Sequence, residues 1–126
     1  MAIPMKPERW QKIEEVFEAA RTHGAASLAA PVSDTLKRAD AALVVRGSIE
    51  REGVWAMQTP QIFRRDWLVE AYGRIADEGL AITDEVSALQ HLGHEVVLVS
   101  SNDTNLKITF PADLALAEFV LTRRQQ

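Results

Sequence analysis

Hydrophobic residues recur at three- and four-residue steps in three stretches of the chain, a pattern that predicts amphipathic helices. The first covers Lys6–His23, the second covers Arg64–Glu78 and ends at Gly79, and the third begins at Pro111. Each helix is expected to turn its apolar stripe toward a core. The stripe residues are Trp10, Ile13, Val16, Phe17 and Ala20; Leu68, Ala71, Tyr72 and Ile75; and Leu114, Ala117, Val120 and Leu121.

Short apolar stretches between these helices predict strands. Ser27–Val32 and Glu95–Ser100 are typical of buried strands, whereas Leu106–Phe110 alternates apolar and polar residues like a half-buried strand. A further short helix is expected over Thr83–Leu92, with Thr83 as its N-cap. Helices that alternate with strands in this way predict an α/β fold.

Two β-branched stretches are expected to form a hairpin. Ala42–Ile49 and Val54–Met57 are separated by the turn Glu50–Gly53, and polar segments flank both. The sequence therefore predicts an arm over residues 35–60, in which Pro60 ends the second strand because it has no N–H to donate. A lone two-stranded arm is marginal in water, so we expect it to pack on another surface, such as a second subunit.

Composition narrows the class of protein. The 126 residues are 47% hydrophobic, which suffices for a core, and residues 1–126 are treated as one domain. The net charge is −4 with the signs interspersed, so no basic stripe suggests nucleic-acid binding. The absence of cysteine excludes disulfides and thiolate chemistry. With no apolar run long enough for a bilayer and no signal-peptide pattern at Met1–Pro7, a cytoplasmic location is expected.

Polar residues cluster where predicted strands end, which is where α/β proteins bind ligands. From residue type alone, Thr35 fits an ordinary turn, Arg51 a solvated hairpin tip, and Lys107 an edge charge. Thr83 suits a helix cap, although the same helix terminus also suits a phosphate. The three histidines lack metal-like spacing, so no metal ligand is predicted within this chain. These patterns place a site without naming a reaction.

Four short motifs follow one another along the chain. They are Asp34-Thr35-Leu36-Lys37, Gln58-Thr59-Pro60-Gln61-x-Phe63, Ile82-Thr83-Asp84-Glu85 and Asn105-Leu106-Lys107-Ile108-Thr109. Their order and spacing, from Gly24 to Leu121, resemble the C-terminal half of the 2-C-methyl-D-erythritol 4-phosphate cytidylyltransferase family. The resemblance implies part of a Rossmann-like, three-layer nucleotidyltransferase sheet with a protruding β-hairpin arm.

The resemblance also implies an activity. Members of this family transfer CMP from CTP to methylerythritol phosphate in the non-mevalonate route to isoprenoids, releasing pyrophosphate with the help of Mg²⁺. By motif position, Lys107 corresponds to a lysine near the reacting phosphates, and Thr59 and Thr83 to hydroxyls that hold methylerythritol phosphate. Thr35 and Arg51 correspond to arm residues that reach into the partner subunit's site in a homodimer, where the Arg51 fork binds the substrate phosphate.

The family's N-terminal half carries a glycine-rich basic loop for CTP, the principal catalytic lysine and an Asp-Ala-Ala-Arg-Pro stretch that supplies a metal ligand. None of these has a counterpart in the 126 residues, whose equivalent opening is Met-Ala-Ile-Pro-Met. Two main alternatives follow. The chain is either an active cytidylyltransferase or a non-catalytic half that dimerises and binds substrate. Such a half would be a fragment or the partner of a separate N-terminal half. The second is favoured for the isolated chain, and a repurposed interaction module is a third. An uncovered sheet edge and apolar face are expected, and with them self-association.

Overall fold

A three-stranded mixed sheet with helices on both faces forms the body of the protein. The computed structural model describes residues 7–101 and 110–124. The sheet order is β4-β1-β5, in which β1 pairs antiparallel with β4 and parallel with β5, while β2 and β3 form a separate antiparallel pair. The elements are α1 (Pro7–His23), β1 (Ala25–Pro31), β2 (Leu36–Ala39), β3 (Val45–Ile49), β4 (Trp55–Phe63), α2 (Arg65–Glu78), α3 (Glu85–His91), β5 (Val97–Ser100) and α4 (Pro111–Arg124).

Alternate residues of β1 face two separate apolar cores, so the central strand is covered on both sides. Ala26 and Leu28 pack against α1, whereas Ala25 packs against α2 and α3. This arrangement confirms the predicted three-layer α/β sheet. The helix residues buried in the two cores are Val16, Ala20, Ala71, Ala88 and Leu89.

The predicted helix stripes are only partly buried. Val16 and Ala20 lie in the core, but Trp10 is 56% exposed and Phe17 is 51% exposed. Tyr72, predicted as part of the α2 stripe, is also exposed. The reason is geometric, because the three strands of the described sheet present a surface too narrow to cover the full width of a helix stripe. Placing these three aromatic side chains in the core was therefore wrong.

Gly24 ends α1 and begins the sheet. Its φ is +95°, and its N–H donates to the carbonyl of Ala20 at 2.7 Å. The indole of Trp67 lies directly against it, since a Cβ built on Gly24 would be 2.1 Å from the Cη2 atom of Trp67. The Trp67 ring also stacks on the ring of His94, with 4.0 Å between the ring centroids. The guanidinium carbon of Arg64 lies 5.4 Å from the Trp67 ring centroid. Trp67 is therefore a packing residue of the core that α2 and α3 form on Ala25.

The predicted hairpin has a different pairing. β3 pairs with β2 and not with β4, and the connecting turn lies at Asp40–Val44. The carboxylate of Asp40 accepts the N–H groups of Ala42 and Val44 at 3.0 and 3.1 Å, which closes this turn without a glycine. Leu43 there has a φ of +63°. The predicted turn at Glu50–Gly53 exists, but it leads from β3 into the main sheet.

Pro60 does not end its strand, so that prediction was wrong. β4 continues to Phe63, and the Thr59–Pro60 peptide bond is cis. β4 pairs only on one side within the described sheet, and the ladder is irregular opposite Leu28, so the missing N–H of Pro60 falls where regular pairing is already interrupted. Edge strands and bulges are where sheets tolerate proline.

The strand predicted as buried over Glu95–Ser100 is shorter and more exposed than expected. β5 begins only at Val97, and Leu98 is 40% exposed because β5 is an edge strand of the described sheet. Leu114, predicted in the α4 stripe, is also exposed.

The helix ends agree better with the sequence pattern. α2 ends at Gly79 and α4 begins at Pro111, both as predicted. The predicted strand Leu106–Phe110 and the site residue Lys107 fall on residues 102–109, outside the described residues, except for Phe110. Across the ranges that the structure describes, none of the helices combines the length and apolarity that crossing a bilayer requires.

Candidate functional site

The carboxyl ends of the parallel strands β1 and β5 meet at one edge of the sheet. Ala29 and Ser100 are register partners there, and the N–H of Ser101 donates to the carbonyl of Ala29 at 2.9 Å. The ammonium of Lys12 donates to the carbonyl of Ser100 at 3.0 Å and so ties α1 to the same edge. Since α/β sheets bind ligands outside the carboxyl ends of their parallel strands, the candidate site is expected here.

Two of the predicted site residues come together at the base of the β2–β3 hairpin. Thr35 immediately precedes Leu36, whose register partner is Ile49, two residues before Arg51. The guanidinium of Arg51 donates to the carbonyl of Ser33. The hairpin therefore brings Arg51 to the segment that carries Thr35, and both side chains are exposed.

The strands and turn of the hairpin, residues 36–49, contain more basic than acidic residues, whereas residues 33–53, which include the base, have four of each. The strands and turn hold three basic residues, Lys37, Arg38 and Arg46, against one acidic residue, Asp40. The hydrogen bond from Arg46, at 2.7 Å, and those from the backbone at Val44 lower the pKa of the Asp40 carboxyl. Arg46 is thus engaged at the tip and Lys37 with the hydroxyl of Ser48. At the base, Asp34, Glu50 and Glu52 surround Arg51 in the sequence, so the fixed guanidinium of Arg51, and not a surplus of positive charge, is what an anionic ligand would meet there.

A groove of about 560 Å³ lies between β4 and α3. Three predicted site residues flank it along the chain: Arg51 is two residues before the lining residue Gly53, Thr59 is two after Met57, and Thr83 is three before Val86. None of these three residues lines the groove itself. Its lining residues are Gly53, Trp55, Met57, Val86, Gln90, His94, Glu95, Val96, Val97 and Leu98.

Thr83 is not the N-cap of α3. Asp84 occupies that position, and its carboxylate accepts the N–H of Ser87 at 3.3 Å. This correction has a physical reason, because a carboxylate at the N-cap both accepts the backbone N–H and meets the positive end of the helix dipole. Partial loss of hydration at the otherwise exposed Tyr72 side chain, followed by the neighbouring carboxylates of Glu85 and Asp84, raises the pKa of Tyr72. The start of α3 is therefore an acidic environment, and its Ser87 N–H is already engaged.

The structure does not gather all the predicted site residues at one point. Thr35 and Arg51 share the hairpin base, Thr59 lies in the irregular part of β4, and Thr83 precedes α3. Lys107 lies outside the described residues. Within residues 7–101 and 110–124, no three histidine or carboxylate side chains converge as a metal site would require.

Two polar side chains, whose roles were not predicted from the sequence, contact the carbonyl of Gln58, the residue before Thr59. The buried hydroxyl of Ser27 contacts the carbonyl of Gln58 at 3.2 Å, and the side-chain amide of Gln61 donates to the same carbonyl at 3.2 Å. Ser27 and Gln61 are register partners on neighbouring strands. Their relation depends on how β1 pairs with β4, which a single sequence does not reveal.

Comparison with known proteins gives a consistent result. A model of the 2-C-methyl-D-erythritol 4-phosphate cytidylyltransferase family matches residues 6–123. A protein of that name from Salinibacter ruber is 49% identical over 107 residues, which cover 85% of this chain and 44% of the relative. One from Yersinia pestis is 46% identical over 99 residues, covering 78% and 41%. The chain therefore spans less than half the length of these curated relatives.

Solved structures agree with the sequence comparisons. The crystal structure of 2-C-methyl-D-erythritol 4-phosphate cytidylyltransferase from Thermus thermophilus is 38% identical, with a TM-score of 0.78 over 89% of this chain and 55% of that one. The corresponding Francisella tularensis structure is 29% identical, with a TM-score of 0.77 over 87% of this chain and 52% of that one.

Proposed function

The chain belongs to the 2-C-methyl-D-erythritol 4-phosphate cytidylyltransferase family, and we propose that it supplies the substrate-binding part of an enzyme that transfers CMP from CTP to methylerythritol phosphate. The observation that supports this most directly is the contact between Arg51 and the Ser33 carbonyl. It holds a guanidinium beside the Thr35 segment, at the base of the hairpin. A phosphate needs this combination of a fixed fork and nearby hydroxyl groups.

In the proposed reaction a phosphate oxygen of methylerythritol phosphate attacks the α-phosphorus of CTP. A new P–O–P bond forms, the bond between the α- and β-phosphates breaks, and pyrophosphate leaves. Thr59 and Thr83 are proposed to hold methylerythritol phosphate, and Lys107 to neutralise charge on the reacting phosphates. Positioning and charge stabilisation account for most of the catalysis of phosphoryl-transfer reactions, so these roles match what the chemistry requires.

A homodimer formed through the hairpin is part of the proposal. Thr35 and Arg51 would then act in the site of the partner subunit. The exposed apolar residues at the hairpin tip support such a contact, since Leu43 is 86% exposed and Val44 and Val45 are also exposed. Consecutive apolar residues at the end of a two-stranded sheet are costly in water and favour a packing partner.

A second function follows from the lengths of the relatives, which are more than twice the matched region. In this alternative the chain is a non-catalytic dimerisation and substrate-binding module, or one subunit of a split enzyme whose companion polypeptide binds CTP. Mg²⁺ would then be held by the substrate phosphates together with groups of the companion polypeptide.

Pyrophosphate release separates the two functions. The purified chain is incubated with CTP, methylerythritol phosphate and Mg²⁺, with Lys107→Ala as the matched control. Release by the wild type that disappears in Lys107→Ala supports an active enzyme, whereas no release supports the substrate-binding module. Calorimetric titration with methylerythritol phosphate then tests the module directly. Arg51→Lys keeps the charge but loses the fork, so it is expected to weaken binding about tenfold. No measurable binding by the wild type would refute the proposed function.

A further inference from the structure

The ladder between β1 and β4 contains an irregularity with an unusual geometry. Ser27 pairs with Gln61 and Ala29 pairs with Met57, so the single residue Leu28 on β1 lies opposite three residues, 58 to 60, on β4. Proline contributes no N–H, and the extra residues remove the regular alternation of donors and acceptors. The carbonyl of Gln58 therefore has to be satisfied by something other than the ladder.

Two side chains approach that carbonyl. The hydroxyl of Ser27 lies 3.2 Å from the Gln58 oxygen and 2.9 Å from the Leu28 carbonyl, so its one proton is shared between two acceptors. The side-chain amide of Gln61 donates to the Gln58 oxygen at 3.2 Å. Ser27 is fully buried, and these hydrogen bonds satisfy its hydroxyl, as buried polar groups require.

The same segment carries a further acceptor. The Oε1 atom of Gln58 is buried and has no hydrogen-bond donor among the residues that the structure describes. Loss of one donor would leave the Gln58 carbonyl with a single hydrogen bond of 3.2 Å, beside the unsatisfied Oε1 of the same residue. Since unsatisfied buried polar groups are costly, the backbone is expected to move until it finds another donor or water.

We propose that Ser27 and Gln61 are positioning residues for methylerythritol phosphate. By holding the Gln58 carbonyl, they fix the backbone of the next residue, Thr59, and with it the place where the Thr59 side chain meets the substrate. This inference rests on the proposed function, in which Thr59 binds that substrate. A displacement of about 1 Å at a substrate-binding group is enough to weaken its action substantially.

The first arm of the test follows Thr59 itself. Threonine methyl groups are labelled with carbon-13, and the Thr59 resonance is assigned with Thr59→Ser. Ser27→Ala and Gln61→Met each remove one donor, and both are expected to shift the Thr59 methyl resonance. Gln11→Met is the matched control, because Gln11 is an exposed glutamine on α1, and it should leave that resonance unchanged.

The second arm titrates each variant with methylerythritol phosphate at a temperature where all are folded. Ser27→Ala and Gln61→Met are each expected to raise the Kd about tenfold, the effect of one lost hydrogen bond. Ser27→Thr keeps the hydroxyl and is expected to restore part of the affinity. If Ser27→Ala does not fold, Gln61→Met carries the test, because its side chain is only half-buried.

The outcomes separate this inference from the proposed function. Shifted Thr59 resonances with weakened binding support the positioning role. The positioning role is overturned if the Thr59 resonance is unshifted in both Ser27→Ala and Gln61→Met and only the free energy of unfolding falls. It is also overturned if the resonance shifts while the affinity for methylerythritol phosphate stays unchanged. If the wild type does not bind methylerythritol phosphate, the proposed function fails, and the positioning of a substrate by Ser27 and Gln61 fails with it even if the Thr59 resonance shifts.

Discussion

Gly24→Ala is expected to be among the most destabilising single changes to this protein, for two separable reasons. The φ of +95° at Gly24 is disfavoured for any residue with a Cβ and costs about 1–2 kcal/mol. The new Cβ would also lie 2.1 Å from the Cη2 atom of Trp67, whereas carbon atoms in contact prefer about 3.5–4.0 Å. The indole would have to retreat by about 1.5 Å.

That retreat is resisted by the surroundings of Trp67. Its ring stacks on His94 at 4.0 Å and packs against the core formed by α2 and α3. Overpacking of this kind typically costs about 1–3 kcal/mol. The total for Gly24→Ala is therefore about 2–5 kcal/mol, a large share of the stability of a small domain.

Other glycines provide matched controls. Gly53 has a φ of +76° with no atom within 4 Å of a built Cβ, so Gly53→Ala should show the backbone cost alone, about 1–2 kcal/mol. Gly73 lies inside α2 with open space around it, so Gly73→Ala should stabilise the protein by about 0.5–1 kcal/mol. The free energy of unfolding is measured by urea denaturation followed by far-ultraviolet circular dichroism.

A double-mutant cycle isolates the overlap. In the background of Trp67→Ala, Gly24→Ala should cost no more than Gly53→Ala does in the wild type, because the clash has been removed. The coupling between the two positions is then expected to be about 1–3 kcal/mol. Strict additivity, or a Gly24→Ala cost equal to that of Gly53→Ala, would refute this account of the contact.

Two further predictions concern the hairpin. The pKa of Asp40 is lowered in the folded state, so its contribution to stability is present above the unfolded value of about 3.9 and is lost as the pH falls through the lower folded value. The amide resonance of Val44, which donates to Asp40, should therefore titrate in that acidic window in the wild type and not in Asp40→Asn; a flat wild-type profile would contradict this. Self-association is expected at micromolar concentration in sedimentation velocity, and Leu43→Asn, which tolerates the positive φ, should weaken it. A clean wild-type monomer would count against an exposed apolar tip as an association surface.

Sequence patterns were sufficient for the positions of the helices, for the buried strand β1 and for the family. Helical periodicity and local end signals such as Gly79 and Pro111 are properties of neighbouring residues, so they survive in one sequence without any knowledge of the fold. The four motifs that identify the family are likewise local, and the match over residues 6–123 confirms the family. The site predictions Thr35, Arg51, Thr59, Thr83 and Lys107 all came from that resemblance.

Strand pairing and exposure were decided only by the tertiary structure. Whether β3 pairs with β2 or β4 depends on competing long-range contacts, and the Asp40 carboxylate closes a turn that carries no glycine. Pro60 is tolerated because β4 is an edge strand of the described sheet with an irregular ladder. Trp10 is left in solvent because the described sheet beneath α1 does not extend far enough to cover it. Each of these outcomes arises from residues far apart in the chain, and hydrophobic periodicity carries no information about which distant segment will be the neighbour.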